Sequence, residues 1–267
     1  MKPTIKDLMS LLNTIAPSNI SEEWDNPGLQ VGSLTQGIDK IMLSLDPTVE
    51  AVREAARKRA QVLLAHHPLL FRPVSCLDLD KFPGNVIHES LSGGVSIIAV
   101  HTNLDGAAEG INHILAELLG LGDVEPLQSI PQYPAGGLGR IGFLDEHMAV
   151  DVLAEKLKTM LSAEKVRIIG STDSAARRIA VMGGAGGSMI WKASEMGADV
   201  FITGDVTYHQ ALEAKALGLI VIDAGHFCTE RTAFIHFADK LRHLFQQARF
   251  AVEVEVYRGE RDPFLYK

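Results

Sequence analysis

The stretch "KIMLSLDPTVEAVREAARKRAQVLLAHH", residues 40–67, decides the fold. An apolar run over 40–46 reads as a strand and ends at Asp46-Pro47. The Ala-, Glu- and Arg-rich segment 48–60 has the composition and period of a helix. "VLLAH", 62–66, is a second strand, apolar at consecutive positions as a strand covered on both faces must be. Strand, helix and strand within 27 residues make a β-α-β unit, and its two strands lie parallel. The unit stops on two adjacent histidines, His66 and His67. They sit at the carboxyl end of a strand, where open α/β sheets collect their ligands.

The same alternation continues on both sides. Thr4 to Ile15 carries apolar residues at helical spacing and ends before Pro17. "EEWDNPGLQVG" (22–32) is rich in turn residues and reads as a loop. "GVSIIAVH" (94–101) is a third strand. "TNLDGAAEGINHILAELLG" follows as a loop and a helix closed by Gly120. A second series begins with "RRIAVMGGAG" (177–186), a strand running into a glycine-rich turn. Helices over 188–198 and 207–218 alternate with strands over 199–203 and 219–226, and a long helix covers 229–248. "RFAVEVEVY" (249–257) alternates as a half-buried strand does. A shift of 138 residues lays Lys40-Ile41 on Arg178-Ile179 and Ala60-Gln61-Val62 on Ala198-Asp199-Val200. The same shift lays His66-His67 on Gly204-Asp205, and a shift of 124 lays "GVSIIAVH" on "GLIVIDAG". The match is one of element order more than of identity. The expected architecture is α/β: two similar three-layer lobes with mostly parallel sheets. Lobe one is expected over 1–125 plus about 231–267 and lobe two over 126–230. The proline- and glycine-containing segment 128–142 is the expected connection.

Composition narrows the function. The 267 residues are 46% hydrophobic and 22% charged, ordinary for a globular chain, with a formal net charge of −8. That balance lacks the basic footprint of nucleic-acid binders, so a nucleic-acid clamp is the weakest class. No apolar run approaches membrane-spanning length, and the N-terminal segment reads as an amphipathic helix rather than a signal peptide. Two cysteines, Cys76 and Cys228, make no disulfide framework. A cytoplasmic location is the expectation. No Walker lysine, G-x-S-x-G elbow or zinc ribbon is present.

The chemistry therefore rests on polar groups at strand ends: Asp46, His66 and His67, "HTNLD" (101–105), "TGDVTYH" (203–209) and "DAGHFCTE" (223–230). His66-His67 reads either as a metal site or as one surface and one core histidine. Pro68 biases His67 to extended geometry, and adjacent side chains on an extended chain point apart. On that geometry the two imidazoles suit two ions better than one. His226 and Glu230, four residues apart at a helix start, fit a metal chelate and equally an ordinary surface pair. Asp105 precedes a glycine and fits a ligand or a simple turn. Taken together, His, His, Asp, His and Glu form a nitrogen and oxygen donor set suited to Zn, Mn, Fe, Co or Ni. Five protein ligands on two ions leave positions open for water, the requirement for a nucleophile near neutral pH.

The blocks "EEWDNPGLQVG", "LLAHHPLLF" (63–71), "VHTNLDGAAEGIN" (100–112) and "RIAVMGGAGG" (178–187) carry a resemblance. So do "ADVFITGDVTYHQALEA" (198–214), "IDAGHFCTE" (222–230) and "DPFLY" (262–266). In order and spacing the chain resembles the Nif-three-like dinuclear-metal family, also labelled GTP cyclohydrolase I type 2 homologues, over nearly its whole length. The resemblance implies two divalent metal ions in the cleft between the lobes, on His66, His67, Asp105, His226 and Glu230. It implies a homo-oligomer, a toroidal hexamer built as a trimer of dimers, in the short form without an inserted domain. It places His101 near the metals. His209 is a candidate proton shuttle or substrate contact, or a helix-surface histidine. Trp24, Asp25, Asn26 and Asp205 are candidate substrate-binding residues, with turn and core roles as the alternative. Cys228 is expected to be packed. The "GGAGG" turn, 183–187, fits phosphate binding at a helix start or close helix–strand packing.

The expected function is a metal-dependent hydrolase acting on a small-molecule substrate, with GTP suggested by the family label. The alternative is a non-catalytic metal-binding regulatory or scaffold protein acting through protein partners.

Overall fold

In chain order the elements are α1 (Ile5–Ile15), β1 (Gly28–Val31), β2 (Lys40–Ser44), α2 (Val49–Arg57), β3 (Val62–Ala65), α3 (Gly84–Gly93) and β4 (Ser96–Ala99). Then follow α4 (Thr102–Gly106), α5 (Ile111–Leu119), β5 (Gly122–Ile130), β6 (Tyr133–Ala149), α6 (Val150–Leu161), β7 (Arg167–Ile169) and β8 (Ala175–Val181). The chain closes with α7 (Ile190–Glu195), β9 (Val200–Thr203), α8 (Tyr208–Leu217), β10 (Ile220–Asp223), α9 (His226–Gln247) and β11 (Glu253–Val256). The structure, a computed structural model, describes residues 2–265. Tyr266, the last residue of the "DPFLY" block, lies outside the described residues.

Local chemistry explains the helix limits. Thr4 and Asp7 form a capping box at α1, each side chain bonding the other's backbone N–H, and α1 stops before Pro17. Thr48 caps α2 by accepting from the Ala51 N–H. Gly94, Gly120 and Gly218 close α3, α5 and α8 in the left-handed conformation that lacks a penalty only for glycine.

The chain folds as two compact units, 2–104 with Phe234–Arg261, and Asp105–Ala233 with residues 262–265. The first boundary thus falls inside α4 and the second inside α9. The observed division comes about twenty residues ahead of the expected 125, and α5 belongs to the second unit. The first unit holds a five-stranded sheet ordered β1-β4-β3-β2-β11, parallel except for edge strand β1. β3 and β4 are buried along their whole length, as are the apolar positions Ala51, Val52 and Ala55 of α2.

The second unit corrects two expectations. Its six-stranded sheet, ordered β5-β6-β8-β9-β10-β7, is parallel only across β8, β9 and β10. The β5–β6, β6–β8 and β7–β10 pairings are antiparallel, so this sheet is mixed rather than mostly parallel. Segment 128–142 is no connecting loop. It is the tip and return strand of the β5–β6 hairpin, and its glycines meet tight spaces: a Cβ at Gly136 would lie 2.2 Å from the Gly106 carbonyl oxygen. Glycine there serves close backbone approach, which from composition alone resembles a linker.

The repeat holds in register. Ile41 pairs with Val62 and Val62 with Ser96. At the shifted positions Ile179 pairs with Val200 and Val200 with Ile220. The edge strands follow, with Val31 on Ile97 and Ile169 on Val221, both antiparallel.

Arg140, on β6, is 2% exposed and has no carboxylate among its hydrogen-bond partners in the described residues. Burial pulls its guanidinium down to about 10, so it stays charged at neutral pH. Its two terminal nitrogens donate to the carbonyls of Gly137, Gly139, Ala107 and Ala108. It therefore ties the hairpin to the loop just after Asp105. Arg140→Ala leaves several buried carbonyls without a donor and is expected to cost about 3 kcal/mol or more. Urea unfolding of the variant against the parent measures this.

Candidate metal centre

In the first unit β3 and β4 end side by side, with Ala65 paired to Ala99. His66 and His67 follow the one strand and His101 follows the other. His66 is fully buried, and His67 and His101 are partly buried. The three rings pack together, with centroids 5.1, 5.3 and 5.5 Å apart. Each offers a nitrogen, and these nitrogens lie within 4.8 Å of one another. The expectation that His66 and His67 point apart is not met. Regular pairing ends at Ala65 and the chain bends over 66–67, which turns both rings to one side.

The other ring nitrogen of each histidine is held. His66 Nδ1 donates to the Val100 carbonyl at 2.8 Å. His67 Nδ1 lies 2.8 Å from Asp46 and His101 Nδ1 lies 2.8 Å from Asp25. A carbonyl can only accept, and an ionised carboxylate can only accept, so all three imidazoles carry their proton on Nδ1. Nε2 is then the lone-pair nitrogen, the arrangement of metal-ligating histidines. Burial would raise the Asp25 carboxyl, but hydrogen bonds from His101 and Thr102 outweigh it and hold the carboxyl at about 2. The Asp46 turn is itself fixed by Glu260, whose carboxylate accepts from the Ser44 hydroxyl and the Asp46 N–H.

The second unit builds a matching group at the end of β10. His226 is the first residue of α9, and Glu230, 4% exposed, lies one turn on. His226 Nε2 and Glu230 Oε2 are 2.8 Å apart, and His226 Nδ1 is 2.8 Å from Asp205. Burial works against a charged imidazole there, but Glu230 and Asp205 outweigh it and push His226 up to about 9. The negative potential that favours a proton between these carboxylates also favours a divalent cation. Asp205 takes a left-handed backbone, φ +54, which aspartate tolerates better than most residues. Asp223, buried at the end of β10, fixes the turn by accepting from the N–H groups of Val206 and Gly225.

The glycine-rich turn has a structural use. The Gly183, Gly184 and Gly186 N–H groups donate to Asn112, Thr229 and Thr203. Those amides are consumed inside the unit, which favours the packing alternative over phosphate binding. A Cβ at Gly184 would sit 2.0 Å from Glu230 Oε1, so the turn is a cradle for that carboxylate. Asn112, 1% exposed, also donates to the Asp105 carbonyl at 3.0 Å and so links the Asp105 backbone to the same turn.

The donor set fits divalent metal on both counts: acceptors on Nδ1 and a cradled carboxylate. Other expected residues fall elsewhere. His209 is exposed in the first turn of α8, edge-on to Tyr208. Asp25 and Asp205 orient imidazoles, and Asn26 donates to the Leu70 carbonyl. Asp105 lies in the short helix α4 rather than in a loop. Cys228 is partly buried, and burial raises its thiol. The orienting acceptors Asp46, Val100 and Asn112 lacked a motif of their own. Asp46 alone had a signal, because continuing the Ser44–Ala65 pairing by two residues sets it beside His67.

These features define a class: a mixed α/β protein with histidine and carboxylate groups suited to metal at its strand ends. The chain belongs to the family described as Duf34/NIF3 (NGG1p interacting factor 3), which it matches over residues 3–263. A Clostridium perfringens relative, "GTP cyclohydrolase 1 type 2 homolog", is 34% identical over 262 residues, covering 98% of this chain and 99% of the relative. Among solved structures, Staphylococcus aureus hypothetical protein SA1388 superposes with a TM-score of 0.94 at 29% identity, over 100% of both chains. A Bacillus cereus protein related to NIF3 does so with a TM-score of 0.91 at 26% identity, again over 100% of both.

Three variants test the wiring. Asp46→Asn and Asp205→Asn weaken the acceptor on Nδ1 and are expected to lower metal affinity about 10–100-fold, read by competition with a chromogenic chelator. Gly184→Ala displaces Glu230 and is expected to lower bound metal in the same assay, with the first unit's histidines untouched.

Proposed function

We propose that the chain is a metal-dependent hydrolase holding two divalent ions on His66, His67, Asp105, His226 and Glu230. The observation that carries this reading is the common Nδ1 restraint on the four histidines, which directs Nε2 of His66, His67 and His226 to ligation and that of His101 to proton transfer. Bound divalent ions polarise an electrophile and make water nucleophilic near neutral pH. His66 and His67 are donors, with the Val100 carbonyl and Asp46 orienting their rings and setting their tautomers. His101 brings a ring nitrogen within 4.8 Å of their donor atoms, the position of a general base. Asp25, held ionised at about 2, stabilises the imidazolium that forms when His101 takes a proton.

The relatives' name supports a GTP cyclohydrolase-type ring opening, and phosphoester or amide hydrolysis draws on the same groups. No helix among the described residues is long and apolar enough to cross a membrane; a cytoplasmic location belongs to this proposal. Assembly into a toroidal hexamer, a trimer of dimers, belongs to this proposal. The exposed Val74, Leu77, Leu79 and Phe82 supply apolar surface for such contacts. The same exposed segment favours the second reading, a metal-binding scaffold that acts through protein partners.

Elemental analysis of protein purified without added metal is expected to find about two equivalents per chain. His66→Ala is expected to lose metal and, across a panel of GTP, phosphodiesters and amides, to lose turnover by at least about a hundredfold. Metal loss with activity intact removes the hydrolase reading. Silence of the metal-loaded parent across the panel favours the scaffold.

A further inference from the structure

Trp24 and Phe71 are large aromatics left exposed beside the histidine cluster. Trp24 is 56% and Phe71 45% exposed. Their ring centroids are 5.5 Å apart, and the His101 ring lies 6.0 Å from Trp24 and 6.5 Å from Phe71, edge-on to both.

The pair is fixed in place. Trp24 and Phe71 come from different segments; two hydrogen bonds cross between them and a third braces the first segment. Asn26 Nδ2 donates to the Leu70 carbonyl at 2.7 Å, the Leu70 N–H donates to Gln30 Oε1 at 3.0 Å, and Gln30 Nε2 donates to the Asn26 carbonyl at 2.8 Å. Asp25, next to Trp24, is anchored with no exposed side-chain area by His101 and Thr102. The wall is therefore set before any ligand arrives, and a ligand does not bear the cost of ordering it. Leaving two fixed aromatics in water costs apolar burial and carries no benefit to the fold.

We propose that Trp24 and Phe71 form a stacking wall that takes a flat heteroaromatic ring of the substrate and sets it against the His101 edge of the metal centre. The wall's place as a substrate subsite rests on the hydrolase reading; its affinity for a ring does not. Two exposed π-faces select for flatness and conjugation, and their position beside His101 sets the reacting part of the ligand near the histidine donors. Asn26 and Gln30 act as positioning residues.

The probes are adenosine and ribose. They differ by the ring and carry no phosphate that a metal ion would itself take. Ligand-observed NMR on the full chain is expected to show saturable adenosine binding at least about tenfold tighter than ribose, the lower end of base–aromatic stacking. In the Trp191→Phe background, adenosine is expected to quench the remaining Trp24 fluorescence. The Trp24→Leu/Phe71→Leu double variant is expected to bring adenosine down to the level of ribose, with metal content and unfolding midpoint unchanged. The milder Trp24→Phe, which keeps a π-face, is expected to retain most of the preference. Equal binding of the two probes by the parent overturns the proposal, as does an adenosine affinity unmoved by the double variant. If ring probes fail to bind and the double variant instead breaks up an oligomer, the wall is a contact between copies and the proposal falls. Metal content is read separately. A parent without metal that still prefers adenosine removes the hydrolase reading and leaves the ring site standing.

Discussion

The strand-end histidines of both units depend on one interaction made four times: a ring Nδ1 held at 2.8 Å by an oxygen that can only accept. An imidazole at a strand end has two rotational states and two tautomers, and a ligand nitrogen is wasted in most combinations. An acceptor on Nδ1 removes that freedom and raises the basicity of the nitrogen that remains. The fold supplies those acceptors because its parallel strands finish level. Ser44, Ala65 and Ala99 stand in one row, so the residues just beyond them, Asp46, His66, His67 and His101, arrive together. The carboxylates that do the holding are held in turn, Asp46 by the turn that Glu260 fixes and Asp25 by Thr102.

Much of this was legible in the chain. The β-α-β reading of 40–67 placed β2, α2 and β3 to within a few residues, and the 138 and 124 shifts coincide with the observed strand registers. Strand-end reasoning picked out His66, His67, His101 and His226. It did so because burial of a strand leaves its end as the only polar position, a constraint that survives without coordinates. What failed was long-range or conformational. The β5–β6 hairpin was misread as a connection, since glycines that permit close backbone approach look the same in composition as glycines that loosen a linker. β1 was misread as a loop because it is an edge strand of four half-buried residues inside a turn-rich segment. Asn112 was invisible because its partners, Asp105 and Gly183, are 7 and 71 residues away.

The repeat also explains why the two units hold their strand-end histidines differently. Just past β4 and just past β10 a histidine is followed four residues later by an acid: His101 and Asp105, then His226 and Glu230. In each, that histidine needs an acceptor for Nδ1. The second unit takes it from Asp205, in the turn after β9. The aligned turn in the first unit is His66-His67, which presents imidazoles and has no carboxylate to offer. The first unit therefore brings its acceptor from elsewhere, and the Glu22–Asn26 loop delivers Asp25 to His101. Moving that loop into place also brings Trp24 beside the imidazole. On this view the aromatic wall is a consequence of spending the β3 turn on two imidazoles: once the acceptor had to come from the 22–26 loop, its neighbour Trp24 came with it.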